Sequence, residues 1–134
     1  MNKRRVNDWI APAAEALEKV GIAVDGKVDS KFRGQISSFG AAVTMGSLKA
    51  AVAFFAKQGG AAVPRERLLS AMYYVISGGT MYTPEKVFAY ICDNDTVQVR
   101  EQFVDAAIAL KLAMNLYDMG KEDNQNAESE PAVQ

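Results

Sequence analysis

Between Lys31 and Lys57 the sequence KFRGQISSFGAAVTMGSLKAAVAFFAK carries two apolar stripes that suit helices. Phe32, Ile36, Phe39 and Val43 recur at i, i+4, i+7 and i+11, the spacing that places side chains on one face of a 3.6-residue repeat. Gly46 interrupts that pattern, and Ser47 is placed to cap a second helix whose Leu48, Ala51, Val52 and Phe55 form the next stripe. Ser30 is the expected cap of the first. Gly59 and Gly60 are expected to end the pair.

The same logic extends outward. Trp9, Ala13, Leu17 and Val20 predict an opening helix stopped by Gly21, and GIAVDGKVD reads as a loop. Pro64 suits the first turn of a helix whose wide apolar face is Leu68, Leu69, Met72, Tyr73, Val75 and Ile76, closed by Gly78 and Gly79. Thr83-Pro84 signals a short helix to about Ile91. Asp95 or Thr96 opens the last and longest helix. It carries one stripe of Val99, Phe103, Ala106, Leu110, Ala113 and Tyr117 and a neighbouring one of Val104, Ile108, Leu112 and Leu116. Two stripes place this helix near the centre, buried against more than one partner. No strand pattern competes, and no repeat of solenoid period is evident. The expected architecture is all-α: a single-domain bundle of about five to six helices over residues 1–119, followed by a disordered acidic tail over 120–134.

Composition narrows function by what is missing. The chain of 134 residues has no histidine and one cysteine. That removes the commonest general base, the usual zinc ligand and any internal disulfide. Cys92 is expected to be a small buried residue, since Asp93 and Asp95 beside it oppose a thiolate. The run DNDT at 93–96 begins like a calcium loop, but Gln98 stands where the turn needs glycine and Val104 where a bidentate glutamate should close it. It reads as a helix cap. Carboxylate pairs such as Asp118 with Glu122, or Asp93 with Asp95, fall at predicted helix ends or in flexible sequence, with nothing to hold them in a dry pocket. No catalytic residue, cofactor, metal site or small-molecule substrate is expected. No apolar run approaches the ~20 residues of a membrane span, and acidic residues interrupt the N-terminal segment where a signal peptide stays apolar. A cytoplasmic protein with no membrane contact is expected.

The net charge of −1 conceals a polarity. Residues 1–67 hold eleven Lys or Arg against six Asp or Glu, a net of +5; residues 68–134 hold four against ten, a net of −6. Such polarity suits nucleic acid on one side and protein on another, or equally a surface that keeps a small protein soluble. No acidic residue lies between Lys31 and Arg65. Lys31, Arg33, Lys49, Lys57, Arg65 and Arg67 are the candidate RNA-binding residues. Lys31, Arg33, Arg65 and Arg67 sit at predicted helix starts, where cations oppose the helix dipole and an anion would gain from free backbone N–H groups. Solvated charges without a ligand fit the same pattern, and the residues alone do not choose. A helix-turn-helix reader is disfavoured because the second and third helices are too apolar to spare a recognition face.

The order of elements, and above all KFRGQISSFGAAVTMGSLKAAVAFFAKQGG, resembles the small all-α subunit of the Cmr complex, the type III-B CRISPR effector that targets RNA. The resemblance spans most of residues 5–119. It rests on the basic-aromatic Lys31-Phe32-Arg33, the Gly-centred break at Thr44-Met45-Gly46, the Ala-rich helix from Leu48 to Lys57 and the long helix FVDAAIALKLAMNLYDM. The proline common before the family's break is absent, and the acidic tail has no counterpart in the resemblance. The family implies a non-catalytic subunit in antiviral defence. Its copies stack into a filament beside the backbone and large subunits, with a basic surface toward the guide and target RNA. A helical adaptor that binds only protein is the alternative expectation.

Overall fold

The computed structural model describes residues 1–57 and 63–119. Its helices are α1 (Lys3–Lys19), α2 (Ser30–Met45), α3 (Leu48–Ala56), α4 (Glu66–Ser77), α5 (Pro84–Asp93) and α6 (Val97–Ala113). A 3₁₀ turn, Met114–Leu116, continues α6. The expected all-α bundle is what the chain forms. The glycine pair at 59–60 and the tail over 120–134 lie outside the described residues.

Local chemistry explains the boundaries. Side-chain oxygens of Asn2, Asp29, Ser47, Thr83 and Thr96 each accept from a backbone N–H in the first turn of α1, α2, α3, α5 and α6, satisfying a donor the helix leaves open. The cap of α2 is therefore Asp29 rather than Ser30, which is the first helical residue. The N-cap position of α4 is Arg65, without a side-chain cap bond, so Pro64 precedes the helix instead of lying in its first turn. Gly78 ends α4 in the left-handed conformation, φ +79°.

The segment read as a loop contains a small sheet. Strands β1 (Ala23–Val24) and β2 (Lys27–Val28) pair antiparallel, and β3 (Asp118–Met119) pairs parallel with β2. The turn is Asp25-Gly26, both with positive φ (55° and 78°), the geometry of a two-residue hairpin that Asp-Gly favours. Two-residue strands are too short to show alternation, so the periodicity that found the helices could not find these.

The core is continuous across the bundle. Phe39, Phe55 and Phe103 are fully buried, and the Phe39 and Phe55 rings meet edge to face at 5.3 Å. Every residue of the two stripes on α2 and α3 is buried. Helix α6 packs against α1, α2 and α4, so its central place is as expected. The reason differs from the expected one. Val99, Phe103, Ala106, Leu110 and Ala113 are buried, but the second stripe is not: Val104 and Ile108 are half-buried, and Leu112 and Leu116 are 42% and 67% exposed. The remaining burial on α6 comes from Ala107, Ala109 and Asp105. Alanines let neighbouring helices approach closely without a large side chain between them. Cys92 is exposed rather than buried, because α5 buries only Val87 and Ile91, and Cys92 lies off that line.

Candidate nucleic-acid interface

The six candidate cations differ in what holds them. Arg33, in the first turn of α2, donates through Nη1 to the Lys111 carbonyl (3.2 Å) and to Asn115 Oδ1 (2.7 Å). It thereby caps the C-terminal end of α6, where the helix leaves carbonyls open and its dipole is negative. Arg67 donates to the Gly21 carbonyl at 3.1 Å, pinning the start of α4 to the chain just beyond α1. Arg65 is buried. Its guanidinium lies 4.3 Å from the Phe54 ring centre and 5.8 Å from that of Phe55, and Nη2 reaches the Phe54 carbonyl at 3.4 Å. Its Nε has no hydrogen-bond partner among the described residues.

Lys31, Lys49 and Lys57 are exposed. Lys49 Nζ lies 3.9 Å from Asp95, a loose surface pair with both side chains about half exposed, which contributes little. Among the described residues neither Lys31 nor Lys57 has an ion-pair partner. The six do not form one patch. Arg33 sits by the C-terminal end of α6, and Lys49 sits by Asp95, which precedes its N-terminus. A helix of 17 residues separates them by about 25 Å. Lys111, whose carbonyl Arg33 caps, adds a cation at the first of these ends that sequence reading had not nominated. Its only signal was a lysine in the last turn of a helix.

One other ionic arrangement is built into the bundle. Asp105, 1% exposed, accepts at Oδ2 from Arg5 Nε (3.0 Å), Arg5 Nη2 (2.8 Å) and the Asn2 backbone N–H (3.3 Å). The Arg5 guanidinium also lies 5.3 Å from the Trp9 ring centre. This cluster clamps the start of α1 to the middle of α6, with the one charge paired to the other.

Between α2 and α6 runs an open groove of about 290 Å³ lined by Gly40, Ala41, Val104, Ala107 and Ile108, with Ser37, Thr44 and Lys111 also in its wall. It continues the line of exposed Leu112 and Leu116. Among the described residues no three of Cys, Asp and Glu come together to hold a metal ion. No helix there is long and apolar enough to cross a membrane.

Comparison with known proteins returns no matching family model, no matching curated relative and no matching solved structure.

Proposed function

We propose that this chain is the non-catalytic small subunit of a type III-B CRISPR (Cmr) ribonucleoprotein effector in the cytoplasm. In this role it stacks on copies of itself, beside the backbone and large subunits, and contacts the sugar-phosphate backbone of guide and target RNA. The observation that supports it most is the Lys31–Lys57 unit that carries the resemblance. Its two helices turn all their stripe residues inward and leave Lys31, Lys49 and Lys57 at the surface. Phosphate contact then falls chiefly to those three lysines, because Arg33, Arg65 and Arg67 already serve backbone carbonyls. Base pairing reads the sequence, so the subunit needs phosphate contacts alone.

The test is filter binding or anisotropy with single-stranded RNA across a salt series. Weak, sequence-independent binding is expected, with a log-log slope of about −0.7 per phosphate contact. The triple substitution Lys31→Ala, Lys49→Ala, Lys57→Ala should flatten that slope by about two to three contacts' worth. An unchanged affinity and slope refute the assignment of these residues. A second reading, a helical adaptor that binds only protein, is favoured by the exposed Leu112 and Leu116 and the groove beside them. It predicts no RNA retention even at low salt.

A further inference from the structure

We infer that the cleft between Tyr82 and Tyr90 takes one unpaired base of a single-stranded RNA, a contact separate from the lysines above that rests on the RNA-binding reading. Three tyrosine rings meet at the surface where α4, α5 and the segment joining them converge. Tyr73 and Tyr82 stack at 4.3 Å with planes 7° apart, and Tyr90 meets Tyr73 edge to face at 5.0 Å. All three are half-buried, whereas Phe39, Phe55 and Phe103 lie fully buried in the core. The stacked pair is a preorganised platform, with Tyr82 held in place before any ligand arrives.

Beside it lies a cleft of about 290 Å³ lined by Tyr82, Lys86, Ala89, Tyr90, Asp93 and Asn94. That is the small end of ligand sites, suited to a single ring system. Its charges sort the ligand. Lys86 Nζ is 5.6 Å from the Tyr82 ring centre, so the aromatic face already has its cation and a quaternary ammonium would be repelled. An exposed lysine on a flexible stem can swing aside to meet a phosphate. Asp93, at the far end of the same cleft, repels phosphate and accepts hydrogen bonds from exocyclic amino groups. A planar base with its phosphate toward Lys86 meets all three demands. With one cation against one carboxylate, stacking supplies the binding, and the base-dependent part should resist salt.

The experiment compares fluorescently labelled oligoadenylate with an abasic oligonucleotide of equal length and charge, using the full chain and fluorescence anisotropy over a salt series. Oligoadenylate should bind about 5- to 150-fold tighter, the range expected for one stacked base, and that ratio should persist as the shared phosphate component decays. Tyr82→Ala should erase the ratio. Ala89→Glu, which adds a negative charge at the cleft's exposed wall without touching the rings, should do the same and guards against loss of fold in the first variant, checked by circular dichroism. Equal binding of both oligonucleotides overturns the base site while leaving the phosphate reading intact. A ratio unchanged in both variants places the base elsewhere and overturns it as well. No binding of either oligonucleotide at low salt removes both readings.

Discussion

Arg5→Met should destabilise the protein more than its place near the chain's start suggests. The substitution keeps an unbranched stem over Trp9 but withdraws two charge-assisted hydrogen bonds from Asp105, a carboxylate 1% exposed and left with the Asn2 N–H alone. Breaking a buried pair by removing one partner costs about 3–5 kcal/mol. Arg5 itself is 28% exposed, so the pair is only partly shielded from water and the low end, about 3 kcal/mol, is the expectation. Asp105→Leu removes the buried charge instead, and the freed arginine can turn to solvent, so it should cost less, about 1–2 kcal/mol. The double variant has no orphaned charge and should be no worse than Arg5→Met alone. Urea unfolding followed by Trp9, the chain's one tryptophan and a neighbour of the clamp, reads all three. If the single costs simply add in the double variant, to within about 0.5 kcal/mol, the pair is not coupled and the reasoning fails.

Arg65→Ala and Arg33→Ala should each lower stability by about 1–3 kcal/mol, through lost aromatic stacking in one and the loss of the bonds to the Lys111 carbonyl and Asn115 in the other, while Lys31→Ala and Lys57→Ala should leave it within about 0.5 kcal/mol. Thermal melts decide this, and equal losses in both groups contradict the division between anchored arginines and surface lysines. Phe39→Ala should cost about 3–5 kcal/mol in the same assay, since the ring is fully buried against Phe55. Tyr73 and Tyr117 hold their protons above the ordinary phenol range chiefly through burial, and Tyr74 through its 2.7 Å hydrogen bond to Glu15. The folded state thus binds these protons more tightly than the unfolded chain. Their stabilisation is complete below about pH 10 and is lost as pH rises through the folded values. Absorbance titration should show part of the tyrosine signal delayed relative to urea-unfolded protein, and coincident curves would contradict it.

Helices were legible because their signals are local. Ser47, Thr83-Pro84 and Thr96 announce starts within three residues of the N–H groups they serve, and a stripe such as Phe32 to Val43 needs only its own spacing. The Asp25-Gly26 turn was as local a sign, but the strands it joins are too short to have a period. What pattern reading could not reach was the destination of side chains. Arg33 finds Lys111 and Asn115, and Arg67 finds Gly21, partners 46 to 82 residues away along the chain. A cation near a helix start looks the same whether it awaits a phosphate or caps a distant carbonyl. On α6, large residues suggested a second buried face, yet alanines at 107 and 109 fill that role and leave Leu112 and Leu116 outside.

The pairing of α1 with α6 has a consequence for how the molecule is made. Asp105 joins Asn2 and Arg5, and the Tyr117 hydroxyl reaches the Ala14 carbonyl, so contacts at the beginning of the chain close across 100 or more residues. At about 5–20 residues per second, a ribosome needs roughly 5–20 seconds to deliver those partners after the first helix emerges. During that interval the buried face of α1, which includes Val6, Ala13 and Leu17, lacks the share of its cover that α6 supplies. The nascent chain can fold α2 and α3 upon each other early, and α1 can meet α4 next, but its cover is complete only when α6 arrives.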